Sequence, residues 1–293
     1  MAVYKRTYKA YSGPLTPAWS RLTVLSRYGL ANLFNSRPFA AYTVLCFVPF
    51  LIGLVLVYVL NSQTAQIVLK IGPDHPVVNK FWFLGFLSVE AWMGFLLAAW
   101  GGPGMITKDF ANHSVQLYLS RPLSRAEYLF GKASVIAILL SAISWVPALV
   151  LFSVQASLVG HGWLWENLWM AGAIVLSCLI GIAMVSLLSM AVAVWVKWRI
   201  AATALMFGVF FLLPALGLAI SVILRTQWGH VLNFPVMIMI IWAHLFRVHP
   251  TNPNATGFDL VPLWAAWASA LSLCAFCFWL LDRKLRAREV ERA

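Results

Sequence analysis

Glu90 is the residue whose position in the sequence most suggests chemistry. It lies well inside a long apolar run that begins near Phe81. A carboxyl group at that depth in a membrane is costly, so Glu90 is expected to face protein or a water-filled cavity. Two interpretations stay open: a place on a substrate or proton path, and a structural hydrogen bond between helices. Glu90 is therefore a candidate residue of a translocation path.

The histidines and cysteines do not form a recognisable metal-binding pattern. His244 and His249 are five residues apart, so they do not share one helical face, and a metal or haem site needs convergent ligands. Cys274 and Cys277 match a CxxC pattern by spacing alone, without Gly, Pro or His beside them. All four cysteines are expected to behave as small apolar side chains. The sequence predicts no metal, cofactor or catalytic residue on this chain.

A polar stretch, residues 107–132, interrupts the otherwise apolar sequence just after the run GGPG at 101–104, which is expected to end a span. Pro122 removes a backbone donor and disfavours helical geometry at the residue before it, so two short helices should meet there. Ser124 fits an N-cap with Glu127 completing a capping box, and that helix should continue into the next apolar segment. An ordinary loop and a binding element both fit this stretch.

The chain that carries these residues is 62% hydrophobic and 10% charged, with a mean hydropathy of +0.83. This composition excludes a soluble globular domain and predicts an all-α polytopic membrane protein. No cleavable signal peptide is expected, because the first apolar run is too long for one. Runs of about 20 apolar residues, enough to cross a bilayer, occur at 38–60, 81–101, 133–158, 167–196, 200–223 and 262–281, which predicts six transmembrane helices.

Most of the 21 Lys and Arg residues fall on one side of a chain with six spans. They lie in residues 1–37 and 107–132, in the short turn after residue 196, and in the tail 282–293. The positive-inside rule then places both termini in the cytoplasm. Because this topology explains the net charge of +12, nucleic acid is not expected as a partner.

The order of the segments predicts how the chain is organised. Residues 1–37 should form a cytosolic arm and an amphipathic helix in the membrane interface. Residues 38–281 should form the six-span transmembrane domain, and residues 282–293 a cytosolic tail. The aromatic run 160–166 is expected to be a tight turn between spans three and four. Kinks are expected at Pro49, Pro147 and Pro214.

The region 225–261, before the last span, contains an apolar run at 231–246 that is too short to cross a bilayer. It also contains Asn233 and Pro235. A seventh crossing would move the basic tail to the other side of the membrane. We therefore expect a membrane-dipping, re-entrant segment that packs against the spans.

No phosphate-binding loop, ordered Ser/His/Asp set or zinc motif is visible in the sequence. The order of its features resembles the permease subunits of the ABC-2 class of ATP-binding cassette transporters. These have an amphipathic elbow, two spans, a polar connection, four more spans and a membrane-dipping segment before the last. In that family the connection ends in the pattern L-x-x-P-x-S-R-x-x-Y/I-x-x-G-K, and here residues 119–132 read LSRPLSRAEYLFGK.

The resemblance implies a permease that pairs with a second permease, as a homodimer or a heterodimer, and docks on two separate ATP-binding cassette subunits, which would hold ATP and Mg²⁺. Region 105–132 would be the coupling element that meets the ATPase. His113 and Gln116 depart from the family pattern, in which Gly and Glu are usual. The residues that would make the coupling contacts are Asp109, Val115, Leu117, Leu119, Arg121, Pro122 and Arg125.

A path between the two permeases lined mainly by apolar and aromatic side chains would suit a hydrophobic or amphipathic substrate. We therefore expect export of such a substrate across the plasma (inner) membrane of a bacterium or archaeon, with no enzymatic activity on this chain. Two alternatives stay open. A membrane-embedded enzyme that modifies lipids requires a cluster of His, Asp or Glu side chains at one membrane face. A non-transporting anchor or assembly subunit requires no dependence on ATP.

Overall fold

The computed structural model describes residues 18–68, 78–111, 125–196, 198–248 and 261–290. This part of the chain is helical and contains no strand. The predicted all-α fold with six membrane-spanning helices is confirmed. Six segments are long and apolar enough to cross a membrane, and we call them spans one to six: Arg37–Asn61, Lys80–Thr107, Glu127–Val159, His161–Trp195, Arg199–Leu224 and Leu263–Lys284.

An N-terminal helix, Ala18–Phe34, precedes span one and packs against spans two and three. The hydroxyl oxygen of Ser26 lies 2.6 Å from that of Ser134 in span three. The helix predicted for this region is therefore present. Its predicted place in the membrane interface stays a prediction, and the arm at residues 1–17 lies outside the described part.

Spans one, three and five are interrupted at the positions where prolines were predicted to kink them. Pro49 and Pro214 are each the second residue of a new helix, and Pro147 is the third. Proline lacks the N–H that would continue the preceding helix, so each break has a local cause. The helices are Arg37–Leu45 and Val48–Asn61 in span one, Arg125–Ile143 and Trp145–Val159 through span three, and Arg199–Phe207, a π-helical turn Gly208–Leu212 and Leu213–Leu224 in span five.

Span two differs from its prediction, because the GGPG run at 101–104 does not end the helix. The helix is Lys80–Ala111, with Pro103 inside it. A hydroxyl of span five replaces the hydrogen bond that Pro103 cannot donate, as described below. The first part of the polar stretch is thus an extension of span two, and residues 112–124 lie outside the described part.

Span four, His161–Trp195, is the longest of the described helices. The tight aromatic turn predicted at 160–166 is wrong. The chain turns at Gly160, whose φ of 112° is accessible to glycine without strain, and the helix begins with the next residue. The aromatic residues after Gly160 form the first turns of this helix.

The region before span six folds as a 3₁₀ turn, Gln227–Leu232, followed by a short apolar helix, Phe234–Leu245. Asn233 caps the short apolar helix, because its side-chain oxygen accepts a hydrogen bond from the Val236 N–H at 3.2 Å. The helix is largely buried and packs against spans two, four and six. The prediction that this run is not a seventh span is confirmed by its length. Its depth in the membrane stays a prediction.

Spans two and four form the centre of the bundle. Ile106 of span two and Ser189 of span four have no exposed surface. A short helix, Gln63–Val68, follows span one, and span six lies within the helix Leu263–Val290.

Candidate functional site

Glu90 lies on the buried side of span two. Only 1% of its surface is exposed, and neither carboxylate oxygen has a hydrogen-bond partner among the described residues. The side chain borders a cavity of about 320 Å³. The inter-helix hydrogen bond that one interpretation required is thus not formed within the described part of the chain.

The cavity is lined by spans two to five and the short apolar helix, and its walls are mostly apolar. The hydroxyls of Ser88 and Ser144 border it, but each donates at 2.7 Å to the carbonyl four residues earlier. The indole N–H of Trp242, on the short apolar helix, is buried and has no acceptor among the described residues. Among the described residues that line the cavity, the acceptor Glu90 and the donor Trp242 thus have no hydrogen-bond partner within the described part of the chain.

Aromatic rings line the cavity on the side of span five. The ring centroids of Phe95 in span two and Phe210 in span five are 4.1 Å apart. Phe210 lies in the π-helical turn, and such turns widen a helix locally and often accompany functional sites. Beyond this pair, Trp92 stacks on Phe211 at 5.9 Å, and these two rings are 46% and 51% exposed. Trp92 also lines the cavity, so the aromatic wall of the cavity reaches the outer surface of the bundle.

Pro103 leaves one carbonyl of span two without its usual donor, and span five supplies a replacement. A proline cannot donate to the carbonyl four residues earlier, which here belongs to Ala99. The Thr203 hydroxyl donates to the Ala99 carbonyl at 3.0 Å. The Arg199 guanidinium donates to the next carbonyl, that of Trp100, at 3.1 Å. Spans two and five are thus joined by hydrogen bonds close to where the polar stretch begins.

We predict that Thr203→Val lowers the free energy of unfolding by about 1 kcal/mol, because the Ala99 carbonyl loses its donor. Pro103→Ala restores a backbone N–H, so Thr203→Val should cost much less in that background. Thr43→Val is a matched control, since the Thr43 hydroxyl donates at 3.0 Å to a carbonyl within its own helix. Thermal unfolding in detergent measures these differences. An equal cost of Thr203→Val with and without Pro103 would contradict the assignment.

The residues predicted to make coupling contacts are mostly outside the described part. The helix predicted to begin after Ser124 is present from Arg125 and continues into span three, as expected. Asp109 belongs to the last turn of the helix Lys80–Ala111. The contacts themselves stay predictions, because the structure does not describe Val115, Leu117, Leu119, Arg121 and Pro122.

The histidines and cysteines are dispersed. Within the described ranges, no three His, Cys, Asp or Glu side chains are grouped so that they could hold a metal ion. Cys274 and Cys277 are free thiols on span six, and the second is buried. His230 lies in the 3₁₀ turn and His244 in the last turn of the short apolar helix, whereas His249 is outside the described residues.

Three residues of this site were not found from the sequence. Nothing distinguishes Trp242 among 15 tryptophans or Phe210 among 19 phenylalanines, because both reach the cavity only through long-range packing. For Thr203, by contrast, the sequence contained a signal that could have identified it. A proline inside a membrane helix leaves a carbonyl that a neighbouring Ser or Thr can satisfy.

The chain matches a protein-family model described as ABC-2 family transporter protein over residues 62–283. The match covers more than half of the chain, and it includes the cavity, Pro103 and the whole polar stretch. No curated protein matches the chain.

Proposed function

The chain belongs to the ABC-2 family of transporter proteins, and from that premise we propose that it is the permease subunit of an ATP-driven exporter whose ATPase is a separate chain. Family membership and six apolar helices make it a multi-pass membrane transport component. One observation carries the more detailed proposal. Span two and its extension are a single helix, Lys80–Ala111, which joins Glu90 to the start of the polar stretch.

The ATPase is assigned to a partner because the sequence contains no phosphate-binding loop. In this proposal a cytoplasmic ATP-binding cassette subunit binds ATP and Mg²⁺, and region 105–132 docks in a groove on its surface. The departures at His113 and Gln116 weaken the expected charge pattern, so the apolar contacts should contribute most. The apolar contacts are assigned to Val115, Leu117 and Leu119, the corner to Pro122, and the charged contacts to Asp109, Arg121 and Arg125.

Span two is the lever that conveys movement of the ATPase to the cavity. From Asp109 to Glu90 the helix runs about 29 Å, at about 1.5 Å per residue. The hydrogen bonds from Thr203 and Arg199 make span five follow the end of span two that carries Pro103. The proline breaks in spans one, three and five are the positions where the bundle can bend. Closure of the ATPase then changes the shape of the cavity beside Glu90.

A second permease copy completes the proposed transporter, with a substrate path between the two copies and Glu90 as its single charged group. Apolar side chains on spans one and five are exposed and available to lipid or to the second copy, for example Leu51, Val55, Leu216 and Val222. The apolar lining suits a hydrophobic or amphipathic substrate. We assign the protein to the plasma (inner) membrane of a bacterium or archaeon, and the positive-inside rule supports cytoplasmic termini.

Co-purification with the cassette ATPase encoded by a neighbouring open reading frame tests the proposal. The unaltered chain should retain the ATPase through extraction from the membrane. Leu119→Asp and Arg121→Glu should each lose it, because they remove an apolar contact and reverse a charge at the proposed interface. Val290→Asp, an apolar-to-charged change in the tail, is the matched control and should retain the ATPase.

Each outcome separates the candidate functions. Retention of the ATPase by both Leu119→Asp and Arg121→Glu would contradict the assignment of region 105–132 as the docking element. A stable membrane protein with no associated ATPase would favour the non-transporting anchor. The lipid-modifying enzyme has little support, because the described ranges contain no grouping of three His, Cys, Asp or Glu side chains that could hold a metal ion.

A further inference from the structure

The cavity beside Glu90 has the properties of a ligand site inside a single subunit. Its volume of about 320 Å³ lies at the lower end of small-molecule pockets, which begin at about 300 Å³. Such pockets are mostly apolar, with a few polar groups that orient the ligand. Glu90 and Trp242 are the groups here whose hydrogen-bonding capacity the described residues leave unused.

The carboxyl group of Glu90 indicates the polar end of the ligand. A buried carboxylate is tolerated when it is paired with a cation or accepts hydrogen bonds, and is otherwise costly. None of the described residues that line the cavity is a Lys, Arg or His. A bound molecule with a cationic donor group would therefore supply the partner that the described residues do not.

The aromatic side chains of the cavity favour the same charge. Trp92, Phe95, Phe210 and Trp242 all line it. The faces of aromatic rings attract ammonium groups, and the attraction strengthens where water is excluded. The Trp242 N–H adds a donor, so an oxygen acceptor near the cationic group of the ligand would complete the polar contacts.

We infer that this cavity binds a lipophilic amine, with its ammonium group against Glu90, a neighbouring oxygen on the Trp242 N–H and its apolar body along the aromatic wall. As a statement about substrate class this rests on the proposed transport function, whereas binding by the isolated subunit does not. The exposed rings of Trp92 and Phe211 form the outer part of the aromatic wall. A ligand dissolved in the membrane would therefore meet the cavity from the lipid side.

A matched pair of probes tests this inference on the full chain alone, without any ATPase. The probes are 2-(1-naphthyloxy)ethylamine and 1-propoxynaphthalene, in which a methyl group replaces the amine. Saturable binding is measured by equilibrium dialysis against the protein in phosphatidylcholine nanodiscs, with empty nanodiscs subtracted. We expect the amine to bind about tenfold or more tightly than the neutral probe. In Glu90→Gln this preference should fall below about threefold, because the amide carries no charge.

Three results would overturn the inference: no saturable binding of the amine, equal binding of the two probes to the unaltered chain, or a full amine preference in Glu90→Gln. If Glu90→Gln does not fold, the comparison of the two probes on the unaltered chain still decides. Loss of the amine preference with intact ATPase co-purification would reject the ligand and leave the permease function standing. Retention of the amine preference with loss of ATPase co-purification would reject the coupling to the ATPase and leave the ligand site standing.

Discussion

Gly217→Ala is expected to unfold at a clearly lower temperature than the unaltered chain, with a loss of about 3 kcal/mol. Gly217 of span five and Gly229 of the 3₁₀ turn meet backbone to backbone. A β-carbon on Gly217 would overlap the Gly229 carbonyl oxygen and lie 3.3 Å from the β-carbon of Leu232. Backbone atoms cannot rotate away as a side chain can, so the 3₁₀ turn would have to move away from span five.

Gly172→Ala is the matched control for this prediction. Gly172 lies within the helix of span four, and a β-carbon there would meet nothing within 4 Å. Alanine stabilises a helix interior by about 0.5–1 kcal/mol relative to glycine, so this variant should melt at the same temperature or higher. Gly229→Ala should lower the melting temperature, as Gly217→Ala does. Equal melting temperatures for Gly217→Ala and Gly172→Ala would show that the backbone contact does not form.

The contact between Gly217 and Gly229 bears on the cavity, because it fixes the segment that leads into the short apolar helix. From the other side, the Ser269 hydroxyl of span six donates to the Val231 carbonyl at 2.9 Å. The short apolar helix, which carries Trp242, is thus held by spans five and six at its beginning. Gly217→Ala should therefore weaken binding of the amine probe as well as stability.

The parts of the fold that depend on local sequence were predictable. Six runs of sufficient length and hydropathy became six spans. The breaks near Pro49, Pro147 and Pro214 follow from the missing N–H of proline, which acts on neighbouring residues whatever the rest of the fold. The run 231–246 is too short to cross a bilayer, and the observed helix Phe234–Leu245 is shorter still.

The predictions that were wrong needed information from distant residues. Pro103 with its neighbouring glycines is a strong signal for a helix end, but the Thr203 hydroxyl replaces the hydrogen bond that Pro103 cannot donate, and the helix continues. At 160–166 a single glycine suffices for the turn, and the following aromatic residues were free to join the helix. Glu90 could be identified from its apolar surroundings in the sequence. Its cavity could not, because Phe210 and Trp242 come to lie beside it only when the chain folds.

Ser88→Cys with Met239→Cys is expected to form a disulfide at a rate that depends on the nucleotide state of the ATPase. The Ser88 hydroxyl lies 3.5 Å from the Met239 sulfur, where span two meets the short apolar helix beside the cavity. Spans five and six hold the short apolar helix in place, whereas span two is the proposed lever. Movement of the ATPase should therefore separate these two positions.

The experiment uses the permease and its cassette ATPase together in nanodiscs. The four native cysteines are replaced by alanine, so that only the new pair can form a disulfide within the permease. Oxidation by copper phenanthroline is followed without nucleotide and with ATP, Mg²⁺ and vanadate. Addition of Leu119→Asp is the control, because it should abolish any effect of nucleotide by removing the ATPase.

This cross-linking rate tests most directly whether the permease transmits ATP-driven movement from region 105–132 to the cavity at Glu90. We predict a rate about tenfold lower in the vanadate-trapped complex than without nucleotide. The same rate in both nucleotide states, in a complex that hydrolyses ATP, would contradict the assignment of span two as the lever between the ATPase and the cavity.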